Sequence, residues 1–272
     1  MTADTHDDSD RDAAAAFLMD ARLSPTSLDG LPETLAPKDL PAAYRLQSAL
    51  NERLAGALDP VAGWKIGCTT AVMQTYLGID HPCAGAMFSS GLRHGLGVFT
   101  RTELNRPGVE CEIAVTLARD LPGPVDGGLE ALVPFIASAH ASIELVDDRW
   151  RDFSAVGTPT LIADNFFNAG CVLGEPVAVD PMHLDRLQGA MRVNGNQVGE
   201  GRGADILGHP LEALNWLAGH ARETGRPLRA GEVVTLGSLV QTVWLEAGDE
   251  VSISIETLGR CDLRIESPSA SE

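Results

Sequence analysis

An α+β fold, with a helical lobe at the N-terminus followed by a twisted, rolled or barrel-like sheet with helices outside it, follows from three features of the sequence. Apolar residues at helical spacing lie early in the chain, at Ala43, Leu46, Leu50 and Leu54. From Val61 onward, short alternating or continuous apolar runs are separated by Gly-containing turns. Helical spacing then returns at Pro210–Glu223, through Leu211, Leu214, Leu217 and Ala218. Many short strands with a few amphipathic helices need a curved sheet that buries one face against helices. The expected division is a tail and helical lobe over residues 1–60 and a catalytic sheet domain over 61–266.

Taken in order, residues 1–11 are expected to be disordered, and Asp12 to cap a helix over Ala13–Arg22. Ser24–Pro37 reads as a connecting loop, and Asp39 or Pro41 opens a helix over Ala42–Leu58. Val61–Cys68 is a short strand and Thr70–Leu77 a short helix, with a turn at Gly78–Pro82. Short strands fill residues 86–117, ending in an alternating strand at Pro107–Leu117. Leu129–Leu145 reads as a helix running into a strand, and Asp147–Asp164 as a long loop. Asn168–Leu173 is a strand, and Gly189–Val198 a hairpin around Asn194-Gly195. The C-terminal part is strand and turn, with strands at Glu232–Leu236, Val251–Thr257 and Gly259–Ile265.

Composition narrows the function. At 272 residues, 44% hydrophobic and 21% charged, the chain is an ordinary globular protein. A net charge of −18 without a basic cluster excludes phosphate-backbone binding and argues against anionic membranes. No apolar run has the length of a membrane span and the N-terminus is acidic, so cytoplasm is expected. Five scattered cysteines without a C-x-x-C spacing read as reduced, buried small hydrophobes. Of these, only Cys111 is expected near the chemistry, turned into the core.

The chemistry gathers on the strand at 107–117. Val109, Cys111, Ile113 and Val115 alternate with Glu110, Glu112 and Ala114, which puts both carboxylates on one face. Such a pair repels itself unless a proton or cation lies between; otherwise it is a solvated strand face. A third acid, Glu144, sits in the apolar run Ile143–Val146. Three carboxylates without a histidine make a hard oxygen set suited to Mg²⁺ or Mn²⁺. Lys65, in Gly63-Trp64-Lys65-Ile66-Gly67, either snorkels at a strand edge or faces an anionic ligand. Asp80 alone would be a turn former.

These stretches also resemble a known family. Gly63–Gly67, Leu77-Gly78-Ile79-Asp80-His81-Pro82 with Gly85, Glu110–Ala114, and Ile143–Val146 with Arg149 are similar to the 2-keto-4-pentenoate hydratases of the fumarylacetoacetase superfamily. The resemblance continues through Ala163-Asp164-Asn165, Gly201-Arg202-Gly203, Leu207–Leu211 with Trp216, Leu228–Glu232 and Ala247–Asp249, covering roughly residues 40–262 in order. It implies a mixed β-roll, Mg²⁺ or Mn²⁺ held by Glu110, Glu112 and Glu144, Lys65 and Asp80 in the pocket, and a homo-oligomer, pentamer or decamer. It departs at Gln241 and Thr242, where prolines are usual, and at Asp148, where serine often precedes Arg149.

The implied substrate is a small 2-oxo acid, whose carboxylate and carbonyl oxygens chelate one cation. The implied reaction adds water to a 2-hydroxy-2,4-dienoate, through its 2-oxo-3-enoate form, to give a 4-hydroxy-2-oxo acid, as in aromatic meta-cleavage catabolism. Lys65 would neutralise substrate charge, Asp80 serve as general acid–base, and Ser238 hydrogen-bond substrate oxygens. Arg202 either meets a distal carboxylate or makes structural hydrogen bonds, and His209 either shuttles protons or, the favoured reading, caps the following helix. Three competitors remain: a metal-dependent 2-oxo-3-enedioate decarboxylase, an acylpyruvate C–C hydrolase, and a non-catalytic subunit. The hydrolase would need an H-x-x-E dyad ahead of the metal ligands, whereas here that spacing occurs only at His209/Glu212 and His220/Glu223.

Overall fold

The computed structural model describes residues 4–267. Helix α1 (Asp4–Leu23) starts earlier than expected, so residues 4–11 are helical rather than disordered; residues 1–3 lie outside the described residues. Acidic residues at a helix start are favoured by its dipole, and the Asp-rich segment obeys that preference. Asp12 is therefore inside α1, where its carboxylate pairs with Arg53 at 3.4 Å. Helix α2 (Leu40–Leu54) is capped by Asp39, whose side chain accepts from the Ala42 N–H at 2.7 Å, and it ends at Leu54 with Ala55 as its C-cap, a turn before Leu58. Ala14, Leu18, Leu46 and Leu50 of these helices share one apolar core with the strands.

The remaining elements are β1 (Val61–Gly67), α3 (Ala71–Leu77), β2 (Cys83–Phe88), β3 (Leu92–His94), β4 (Leu96–Thr100), β5 (Pro107–Leu117), β6 (Ile136–Asp147), α4 (Thr158–Ala163) and β7 (Asn168–Leu173). They continue with β8 (Gln188–Val193), β9 (Asn196–Arg202), α5 (Pro210–Glu223), β10 (Val233–Ser238), β11 (Val243–Trp244), β12 (Glu250–Ile255) and β13 (Gly259–Glu266). An eight-stranded sheet runs β2-β1-β10-β5-β6-β7-β3, with β11 pairing beside β5, and a five-stranded sheet runs β4-β13-β12-β8-β9. Both are mixed: β1 runs parallel to β10, β3 to β7 and β4 to β13.

The segment expected as a helix over Leu129–Leu145 is a 3-10 turn over Leu129–Phe135 followed directly by β6. The sequence Ala137-Ser138-Ala139-His140-Ala141-Ser142 hides its alternation behind small residues, and alanine favours helices by propensity alone. Pairing along all of β5 overrides that propensity. The expected loop at 147–164 also holds α4, which packs on α2.

Strands β5 and β6 are the spine of the molecule. One face carries Val109, Cys111, Ile113, Ala141 and Ile143, fully buried among residues such as Met191, Ile253 and Leu263 of the second sheet. Each such Ile or Leu contributes roughly 1.5–3 kcal/mol of transfer free energy. Because side chains alternate, burying that face commits Glu110, Glu112 and Glu144 to the other.

Candidate metal centre and pocket

Register brings the three acids together. Glu110 of β5 lies opposite Glu144 of β6, and Glu112 lies opposite Ser142. Ligand oxygens of the three carboxylates all fall within 4.8 Å of one another. Glu112 and Glu144 are completely buried.

Each carboxylate is held on one oxygen by an uncharged donor. The Thr242 hydroxyl donates to Glu110 Oε1 at 2.5 Å, the Gly237 N–H to Glu112 Oε2 at 2.9 Å, and Asn168 Nδ2 to Glu144 Oε1 at 3.0 Å. Glu112 Oε1 is buried without a hydrogen bond, and Glu144 Oε2 has no partner other than the Lys65 ammonium. Lys65 Nζ stands 3.1 Å from Glu144 Oε2. Neutral donors orient the acids without cancelling their charge, so three ionised carboxylates against one ammonium leave an excess that a divalent cation would balance. The three-carboxylate donor set and the orphaned Glu112 oxygen therefore fit a hard divalent metal.

Electrostatics follow from this arrangement. Burial, with Glu144 and Glu110 close by, pushes the Glu112 carboxyl well above the usual carboxylate range. Burial also raises Glu144, with Lys65 opposing and Glu110 reinforcing. Burial works against the Lys65 ammonium, yet the summed attraction of Glu144, Glu110 and Glu112 prevails and holds its pKa above the ordinary value.

The glycines around Lys65 make room for it. A Cβ on Gly85, its cross-strand partner, would stand 2.6 Å from the Asn165 carbonyl and 3.2 Å from Lys65 Cδ. One on Gly67 would meet the Phe166 ring at 3.1 Å and Lys65 Nζ at 3.3 Å. Lys65 thus faces the carboxylates, and the snorkelling alternative is excluded by its 2% exposure.

A cavity of about 520 Å³ opens beside the cluster, lined by Lys65, Glu110 and Ser238 together with Phe153, Phe166, Phe167 and Trp244. Asn165, Phe166 and Phe167 have φ of +55°, +47° and +67°. Backbone strain in this region costs roughly 1–3 kcal/mol per residue and concentrates at functional sites. Hydrogen bonds hold the bend, since Asn165 Oδ1 accepts from Ala86 N at 2.9 Å and its Nδ2 donates to Asn51 Oδ1 at 2.5 Å.

Of the residues singled out in the sequence, Glu110, Glu112, Glu144, Lys65 and Ser238 come together, and Asp80 and Arg202 do not. Asp80 is exposed on the turn after α3, where Gly78 at φ +66° swings the chain outward, and it does not line the cavity. Arg202 is exposed at a separate cavity with Glu200 and Arg260, and its backbone N–H donates to Asp205. The Ser238 hydroxyl donates to the Val240 carbonyl at 2.6 Å and accepts from the Val240 N–H at 3.4 Å, leaving one lone pair to accept. His209 caps α5, accepting from Leu211 N at 3.1 Å. Asp148 accepts from Trp150 N at 3.1 Å and pairs with Arg106 at 3.4 Å, a loop contact away from the cavity.

Cysteine placement needs correction. Cys111 is in the core as expected, but Cys68 lines the cavity and Cys171 lies opposite Glu144 in register, so more than one thiol borders the site. Sequence reasoning missed Asn168 and Thr242 as anchors. Their one signal was a polar residue at a strand end and a departure from the family pattern.

A family model for the fumarylacetoacetate hydrolase C-terminal domain matches residues 87–266. The chain is 36% identical over 255 residues to a 2-keto-4-pentenoate hydratase of Burkholderia vietnamiensis, covering 93% of this chain and 96% of that protein. The chain belongs to the fumarylacetoacetate hydrolase family, among the 2-keto-4-pentenoate hydratases. A second member, from Paraburkholderia phymatum, is 34% identical over 254 residues, again covering 93% and 96%. The family fold is shared by the 4-oxalocrotonate decarboxylase of Pseudomonas putida G7, solved with magnesium and adipate. Its TM-score is 0.85 at 24% identity, covering 94% of this chain and 97% of that one.

Proposed function

We propose that this protein is a metal-dependent hydro-lyase that adds water to a 2-hydroxy-2,4-dienoate, giving a 4-hydroxy-2-oxo acid in aromatic meta-cleavage catabolism. The observation that carries this reading is the convergence of Glu110, Glu112 and Glu144 on one point beside Lys65 at the floor of a cavity. The hydratase relatives support it. Glu110, Glu112 and Glu144 would hold a divalent cation, Mg²⁺ or Mn²⁺, as magnesium is bound by the decarboxylase of like fold. When bound, that cation supplies Lewis-acid stabilisation of charge developing on the oxygens of the 2-oxo acid head.

The remaining work belongs to side chains. Lys65, ion-paired to Glu144 at 3.1 Å on the cavity wall, offers an ammonium to the substrate carboxylate as its charge partner. Ser238 Oγ, its own hydrogen engaged by Val240, accepts from the 2-hydroxyl of the dienol. Phe166 and its apolar neighbours limit stray water around the head group. Asp80 transfers protons in this scheme only if its turn closes over the cavity. The reading includes a homo-oligomer, pentamer or decamer, in the cytoplasm; no helix among the described residues is long and apolar enough to cross a membrane.

The test is calorimetric titration of Mg²⁺ or Mn²⁺ together with loss of dienoate absorbance. Glu110→Gln and Glu144→Gln are expected to lose cation binding and turnover with the fold retained. Lys65→Ala is expected to keep the cation and lose at least about a hundredfold in kcat. Wild-type turnover in either glutamine variant overturns the metal assignment, and CO₂ release from a 2-oxo-3-enedioate without hydration would replace hydratase by decarboxylase.

A further inference from the structure

The cavity extends well beyond the space a five-carbon acid fills; its volume of about 520 Å³ lies in the range that encloses much larger ligands. A line of rings leads away from the head-group end. Lys65 Nζ stands 5.3 Å from the Phe166 ring centroid, Phe166 lies 5.4 Å from Phe167, and Phe167 5.7 Å from Phe153. Val72 and Met73 of α3, with Leu239 and Trp244, extend the apolar wall. Two of the rings are delivered by the left-handed backbone at Phe166 and Phe167, a conformation bulky residues rarely adopt.

Charge along the wall is one-sided. Lys65 is the only cationic residue lining the cavity among the described residues, and it is engaged by Glu144. The acids there are Glu110 and Asp205. Arg106 touches the wall only by stacking on Trp244 at 4.2 Å, and it pairs with Asp148 at 3.4 Å. A second carboxylate on the substrate would be desolvated among rings, with Asp205 repelling it and no free cation to receive it.

We infer that the far part of this cavity is a subsite for an uncharged apolar substituent, so that the substrate is a 2-hydroxy-2,4-dienoate with an alkyl or aryl group at its distal end and not a dicarboxylate. This rests on the hydratase reading for the head group. Phe153 and Phe167, remote from the metal ligands, set the preference, and α3 covers the tail.

The experiment compares kcat/KM of the Mg²⁺-loaded enzyme for 2-hydroxypenta-2,4-dienoate, its alkyl- and phenyl-extended homologues, and a homologue ending in carboxylate. Expected is a rise of about fourfold for each methylene buried, and at least about a hundredfold discrimination against the carboxylate end. Phe153→Arg, which adds a cation to the wall, is expected to narrow that discrimination at least about tenfold. A carboxylate-ended substrate turned over as well as its apolar counterpart overturns the subsite while leaving the hydratase reading intact. If no dienoate is hydrated, the hydratase reading fails, and calorimetry with 2-oxooctanoate and 2-oxosuberate still decides the subsite. Tenfold tighter binding of the monoacid supports it, and equal binding removes it.

Discussion

At Lys65 two large effects oppose each other: complete burial, which strips charge from an amine, and three carboxylates, which restore it. The carboxylates prevail because Gly67 and Gly85 let the side chain reach them, which explains why the lysine sits in a glycine-flanked strand. That reason is spatial, and the sequence displays only its trace in Gly63-Trp64-Lys65-Ile66-Gly67. Asp80 is the opposite case. Its motif suggested proton transfer, but helix α3 ends on a left-handed glycine that turns it to solvent. Asp80→Asn is therefore expected to keep kcat/KM within about threefold of wild type. A loss of a hundredfold or more, the usual worth of a general acid or base, would require the turn to close during turnover.

Among elements, α1 has a reach that its amphipathic pattern does not announce. Arg22 near its C-terminus donates to the Asn168 carbonyl, and Asn168 Nδ2 donates to Glu144. The same arginine stands 3.9 Å from Asp164, which takes a 2.8 Å ion pair from Arg149. An N-terminal helix thereby helps orient Glu144, a proposed metal ligand, from two contacts away. Asn168→Ala is expected to weaken divalent-cation affinity about 10- to 100-fold, the usual scale for partners that orient ligands. Arg22→Ala should weaken it less, both measured by titration with the folded state checked by circular dichroism. An unchanged affinity in both would make the network purely structural. The helix Pro210–Glu223 was legible because one buried face writes a regular period, and β5 because glutamates alternate with Val, Cys and Ile although both of its faces are buried. β6 was not, because small residues buried on both faces write none. The pairing of Glu110 with Glu144 was suggested by residue type but fixed only by register.

Across the whole molecule, histidines held neutral by partial or complete burial make stability depend on pH. His220 packs 4.1 Å from Tyr44 and stacks on Trp216 at 5.4 Å, tying α5 to α2. Burial, with His81 adding to it, lowers its pKa to about 4. Burial likewise lowers His140, against a hydrogen bond to Gly174. The unfolded chain binds a proton at His220 near pH 6.5 and the folded chain only near 4, so its contribution is full above about pH 6.5 and declines as pH falls toward 4. At pH 5 the expected loss from His220 is about 2 kcal/mol. His220→Phe should shrink the difference in Tm between pH 7 and pH 5, and an equal difference in both proteins would refute the neutral assignment of this half-buried histidine.

The segment from Gly237, at the end of β10, to Thr242, just before β11, carries a last implication. Its backbone and side chains anchor Glu112 through Gly237 and Glu110 through Thr242, while Leu239 and Val240 form part of the cavity wall. Reshaping that segment to admit a different tail would disturb the anchoring of Glu110 and Glu112 in the same stroke. A change of tail preference is thus expected to be separable from the carboxylate cluster only at positions such as Phe153 and Phe167, whose side chains anchor none of the three glutamates.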